Sequence, residues 1–177
     1  AASDVYKRQL FYDDLLHKYD SHWFLREIKH LWNRTLKRID LTSRSLVTLI
    51  EPGSCFGGFL SEIIFASDRS YMAEGVFDES NDPEAKIALS KSNFNFFKMS
   101  NGITRLETRF LNESEKIKAL ENQICNELDS QMALDMGLVT FSFDDIDWED
   151  EVRIFLEERS SFSPDSMTGL EANLRFA

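Results

Sequence analysis

Between Leu46 and Asp68 the chain changes character twice, and few folds accommodate both changes. Leu46 to Ile50 is an apolar run with the length and β-branched content of a buried strand. Glu51-Pro52-Gly53 breaks it, since Pro cannot donate to a ladder and Gly permits a sharp turn. After Gly57-Gly58, the residues Phe59, Leu60, Ile63, Ile64, Phe65 and Ala66 return at helical spacing. The expectation is strand, glycine turn, buried helix. Such a unit aims backbone N–H groups at whatever sits above the turn, which suits an anion or a developing oxyanion. Gly53, Gly57 and Gly58 miss the spacing of a dinucleotide fingerprint, and no P-loop Lys follows them. On pattern alone a functional turn and a tight structural corner are equal alternatives.

Glu62 is the second candidate. It stands one turn into the helix with apolar residues on most sides, where desolvation would raise its pKa toward values useful in acid–base chemistry. The plainer alternative is a carboxylate paired with Arg69 or a loop. Cys55, just ahead of the helix, has no nearby histidine to act as its base and reads as a small buried side chain. Ser45, Ser54 and Ser61 lack the nucleophile-elbow pattern.

The 177 residues suffice for one domain with a packed core, and 15 Phe argue for a globular chain. A net charge of −11 disfavours nucleic acid and anionic membrane as partners. Two cysteines make no disulfide framework, so a cytoplasmic setting is expected. No transmembrane stretch or signal peptide is visible. His17, His22 and His30 have no metal-ligand spacing with either cysteine, and no metal site is expected. Asp4-Val5-Tyr6-Lys7-Arg8-Gln9 resembles the translated sequence of a transposon adapter used in preparing sequencing libraries. Residues 1–9 are therefore expected to be foreign, and residues 10–177 to form a single partial domain cut at both ends.

Leu16, Phe24, Ile28, Leu31, Trp32, Leu36 and Ile39 predict an amphipathic helix from Leu10 to Asp40, broken near Asp20-Ser21 by a new N-cap. Arg69 to Ala73 and Ile87 to Leu89 read as short strands, with a loop from Glu74 to Glu84 between them. Asn93 to Met99 shows no clean period. A short helix is expected over Ile103 to Leu111, and a second begins at a capping-box-like Asn112-x-x-Glu115. Ser130 is expected to cap a third helix, ended by Gly137. Leu138 to Phe143 alternates like a strand. The acids from Asp144 to Glu151 do not follow a calcium loop, and they complement the start of a helix reaching about Arg159. Ser163-Pro164 starts the last helix.

Gly53-x-x-x-Gly57-Gly58 followed by Glu62-Ile63-x-x-Ala66-x-Asp68 resembles the second oxyanion-hole segment of the crotonase (enoyl-CoA hydratase/isomerase) superfamily. Ala133-Leu134-Asp135-Met136-Gly137-Leu138-Val139 is similar to that family's helix end and following strand, with Arg105-Leu106 in the helix between. Longer motifs, Ile50 to Phe56, Ala66 to Met72, Asp144 to Trp148 and Leu170 to Phe176, resemble one branch of the family. That branch opens the ring of an epoxidised benzoyl-CoA with loss of formate, and its members contain two crotonase-like halves. The motifs match the C-terminal half.

The resemblance implies an α/β fold, a crotonase-like spiral of ββα units incomplete at its N-terminal side and followed by a helical region. It implies an acyl-CoA substrate, no separate cofactor because CoA is part of the substrate, and two partners: the N-terminal half of the same protein and further copies in a homo-oligomer. Gly57 or Gly58 would be an oxyanion donor, and Glu62 would take the place of one hydratase Glu. The other hydratase Glu is replaced by Lys91, which cannot be a carboxylate base. The first donor segment has no counterpart here. The ring-opening residues are accordingly expected outside this chain, which is expected to be inactive alone. A non-catalytic scaffold or dimerisation domain and an enoyl-CoA hydratase are the alternatives.

Overall fold

The computed structural model describes residues 3–54, 56–77 and 81–175, so Cys55, part of the acidic loop and Phe176 of the last motif lie outside the described residues. In chain order the elements are helices α1 (Ser3–Lys18) and α2 (Trp23–Asp40), then strands β1 (Val47–Ile50) and β2 (Phe56–Gly57). A 3-10 turn (Gly58–Ser61) leads into α3 (Glu62–Ala66), followed by β3 (Arg69–Ala73) and β4 (Ile87–Ala88). Then come α4 (Ser92–Asn95), α5 (Arg105–Arg109), α6 (Ser114–Glu121), α7 (Ser130–Asp135), β5 (Phe141–Phe143), α8 (Asp145–Ser161) and α9 (Pro164–Arg175).

Three strands form one parallel sheet in the order β1-β3-β5, with Val47 opposite Arg69 and Tyr71 opposite Phe141. A parallel sheet of this kind needs cover on both faces. On one face Ile50 and Met72 pack with Ile64, Phe65, Leu106, Leu138 and Val139. On the other, Tyr71 and Ala73 pack against Trp148 and Phe155 of α8. β3, buried from Ser70 to Ala73, is the strand that both layers enclose. A second, two-stranded parallel sheet joins β2 to β4 and holds the glycine turn beside the first.

Most expected elements are found, and the differences lie in their ends. The long N-terminal helix does break near Asp20-Ser21, but the new cap is His22, whose Nδ1 accepts from the Phe24 N–H. α1 runs continuously from Ser3 through Leu10, and Tyr6 is buried. Asn112 does not cap α6: it takes a left-handed conformation (φ +67°) and Glu113 holds the cap position with no side-chain bond. The cap of α7 is Asp129, accepting from Met132 N–H at 2.8 Å, with Ser130 already inside the helix. Only Phe141 to Phe143 of the alternating run is strand, because Leu138 and Val139 spend their backbone N–H groups closing α7 onto the Ala133 carbonyl. α5 carries a full capping box, Thr104 with Glu107.

Replacing Asp129 by Ala should cost about 1 kcal/mol of folding stability, as loss of an N-cap does. Ser130→Ala should cost clearly less, and urea titrations of the two variants distinguish them.

Candidate functional site

The turn after β1 is built from short local bonds. The Ser54 N–H donates to the Glu51 carbonyl at 2.9 Å, and Ser54 Oγ accepts from the Glu51 N–H at 3.0 Å. Gly53 occupies φ +80°, which a side chain would resist, and its N–H reaches the Pro83 carbonyl at 3.2 Å. Trp148 Nε1 donates to Glu51 Oε1 at 3.1 Å, tying the turn to α8. After β2 the chain enters the 3-10 turn at Gly58, also at positive φ (+58°). A Cβ there would stand 2.8 Å from Asp13 Oδ2, so both conformation and space require glycine.

Glu62 lies at the start of α3 and is fully buried, but its partner is not Arg69. Arg105 Nη1 donates to Glu62 Oε2 at 2.8 Å, and Asn93 Nδ2 donates to Oε1 at 2.7 Å. Arg105 is itself buried and reaches Asp40 twice, Nε to Oδ1 at 2.8 Å and Nη2 to Oδ2 at 2.6 Å, and donates to the Phe97 carbonyl at 2.9 Å. Asn93 Nδ2 also donates to the Gly58 carbonyl at 3.0 Å, where Ser61 Oγ donates as well at 2.7 Å. One amide thus links Glu62 to the glycine turn. Burial pushes the Glu62 carboxyl up to about 7, outweighing the attraction of Arg105 and the Asn93 hydrogen bond, with Asp40 adding to the rise. Both its oxygens are engaged in a closed network, so its present geometry holds the turn and offers no free base.

The two glycines have different surroundings. The Gly57 N–H donates to Gln9 Oε1 of α1 at 2.8 Å. Gly58 faces Asp13, whose Oδ1 accepts from Ser92 Oγ and whose Oδ2 has no hydrogen-bond partner among the described residues. Ser92 Oγ in turn pairs with His17 Nε2 at 2.7 Å. The structure therefore brings Gly57, Gly58 and Glu62 together, and adds Asn93, Asp40 and Asp13, which the sequence did not single out. Lys91 is exposed at the start of α4. Among the described residues no group of three His, Cys, Asp or Glu side chains is placed to hold a metal ion.

Because the folded carboxyl of Glu62 binds its proton more tightly than an unfolded one, folding stability should fall as pH rises between about 4.5 and about 7. The full contribution is about 3 kcal/mol. Glu62→Gln should remove that part of the slope in urea titrations spanning the window, and an unchanged slope would show that Glu62 is not its source. Arg105→Leu, which strands two buried carboxylates, should cost about 3–5 kcal/mol.

No protein-family model matches the chain. Over 157 residues, 88% of its length, it is 49% identical to benzoyl-CoA-dihydrodiol lyase of Aromatoleum evansii, and it spans 27% of that protein. Its fold is shared with solved structures at much lower identity. An enoyl-CoA hydratase from Bacillus anthracis is 16% identical with a TM-score of 0.57, over 84% of this chain and 52% of the other. A methylmalonyl-CoA decarboxylase complexed with 2S-carboxypropyl-CoA is 16% identical with a TM-score of 0.57, over 80% and 49%. An enoyl-CoA hydratase from Shewanella pealeana is 18% identical with a TM-score of 0.59, over 88% and 53%. The chain thus spans about a quarter of its curated relative and about half of these solved chains. The chain has a crotonase-like fold and shares nearly half of its aligned residues with that lyase.

Proposed function

We propose that the protein containing this chain is a CoA-thioester ring-cleaving lyase that opens 2,3-epoxy-2,3-dihydrobenzoyl-CoA with release of formate, and that this chain is its non-catalytic C-terminal crotonase-like part. The 49% identity over 157 residues carries the reading, since it runs through the glycine turn and the helical region beyond it. The site supports the division of labour. An oxyanion hole needs two preorganised donors, and this chain supplies one donor segment. Glu62, beside that segment, is locked between Arg105 and Asn93. The partners under this reading are an acyl-CoA substrate, the N-terminal half of the same protein and further copies in a homo-oligomer. CoA enters as part of the substrate, with no separate cofactor. No helix of the described residues is long and apolar enough to cross a membrane, and two cysteines without a disulfide framework fit a cytoplasmic setting.

A scaffold or dimerisation role for this half is favoured by the same buried ion network, which fixes the fold without presenting a free side chain. An enoyl-CoA hydratase is the weakest reading, because Lys91 is exposed and Glu62 is fully bonded.

The full-length protein should release formate from the epoxidised benzoyl-CoA, and the isolated chain should release none. Glu62→Gln in the full-length protein should change kcat/KM by no more than about threefold. A loss of several orders of magnitude would place chemistry in this half and overturn the assignment.

A further inference from the structure

α2 turns Arg26, Lys29, His30 and Asn33 to one side, because residues three, four and seven apart share a helix face. With Asp20 from the turn after α1 and Phe96 just beyond α4, they line a cavity of about 270 Å³. The cavity shares no residue with the Arg105 cluster. The chain carries a net charge of −11, but here two cations and an imidazole face a single carboxylate.

Lys29 is the centre of the cavity. Its side chain is buried, and Nζ lies 3.5 Å from the centroid of the Phe96 ring, a cation–π contact. The His17 ring meets the same Phe96 edge-on, with centroids 4.9 Å apart. An ammonium has three N–H donors, and among the described residues that of Lys29 has one acceptor, Asp20 Oδ1. Asp20 is largely exposed, so a buried cation is balanced by a carboxylate for which water competes. The Lys29 hydrogen bond, and then the charges of Lys29, His17 and Arg26, hold the Asp20 carboxyl below the ordinary carboxylate range. The mouth of the cavity therefore already holds one anion in a positive field. Among the described residues Arg26 has no carboxylate within salt-bridge distance, and Asn33 Oδ1 is buried with no hydrogen-bond partner.

These unspent groups specify a ligand. Free donors on a buried ammonium and a guanidinium call for negatively charged oxygens, and a guanidinium matches the oxygens of a tetrahedral anion in pairs. Asn33 Oδ1 calls for one donor, which a sulfate ion lacks and a hydrogenphosphate supplies through its O–H. The volume lies just below that of pockets for drug-sized ligands and suits a single phosphoryl group. We propose that this cavity is a phosphate site: Lys29 and Arg26 take the phosphate oxygens, Asn33 accepts the O–H, and Asp20 is the internal anion that the phosphate displaces from Lys29. The phosphoryl group comes either from free phosphate or from a larger ligand such as coenzyme A, through its 3′-phosphate. The site goes beyond the lyase reading and fails or stands separately from it, since formate release does not report on Arg26 or Asp20.

The test is isothermal titration calorimetry of the full-length protein at about 0.15 M salt, where loosely held ions are largely screened. Arg26→Ala, a change at an exposed position, should weaken phosphate binding about tenfold or more. Asp20→Asn should do the opposite and tighten it severalfold, because the competing carboxylate is gone; a purely structural Asp20–Lys29 pair gives no such gain. Sulfate should bind about tenfold more weakly than phosphate. Coenzyme A and dephospho-CoA separate the two sources. An Arg26-dependent preference for coenzyme A places the group on its 3′-phosphate, and Arg26-dependent binding confined to inorganic phosphate makes free phosphate the ligand. Binding of phosphate and coenzyme A that is indifferent to both substitutions would overturn the proposal, as would binding of neither, or sulfate held as tightly as phosphate.

Discussion

The Arg105 guanidinium is the interaction on which the rest of the site depends. It sits with almost no exposure between Asp40 at the end of α2 and Glu62 at the start of α3, and it also holds the Phe97 carbonyl. A charge taken this far from water is tolerated only when its donors are matched. Here the planar fork meets one carboxylate in bidentate fashion and a second in line, a geometry that lysine could not reproduce. The network ties three helices from distant parts of the chain to one point. Its net charge with both carboxylates ionised is negative, and burial answers by making the Glu62 proton hard to remove.

That arrangement explains how the glycine turn keeps its shape. Asn93 donates to Glu62 and to the Gly58 carbonyl, so the ion cluster and the turn share a single amide. On the other side α1 closes over the turn, with Gln9 on the Gly57 N–H and Asp13 against Gly58. In this geometry Glu62 is a strut. Around the turn the Gly57 N–H and both Glu62 carboxylate oxygens are engaged, while Asp13 Oδ2 beside Gly58 has no partner among the described residues.

The three strands of the sheet are covered unequally. Its central strand is enclosed by two layers, and among the described residues β1 has no strand on its outer edge, beside a groove against α8. Sheets with parallel strands are normally covered and continued, and an open edge of this kind is where association begins. Asp40 of the ion cluster ends α2, and a short connection leads from it into β1.

Local chemistry made much of this legible in the residues themselves. The run Val47–Ile50, the strand Arg69–Ala73, the helix starts at Asp144 and Pro164 and the Gly137 helix end follow from short-range propensity, β-branching and capping, which need no partner. The crotonase likeness was legible too, because the glycine spacing and the helix that follows it are neighbours in sequence. The ends of helices were less so: Asn112 and Ser130 both looked like caps, and a left-handed turn and the adjacent Asp129 took those places. What sequence alone determined is the strand–turn–helix unit and the crotonase likeness, since both are written in neighbouring residues. Only tertiary structure decided that Glu62 is bound by Arg105 and Asn93, 43 and 31 positions away, and that Asp40 completes the set. Charge pairing across such separations leaves no local period, and whether a carboxylate is a base or a strut depends on which groups the fold brings to it.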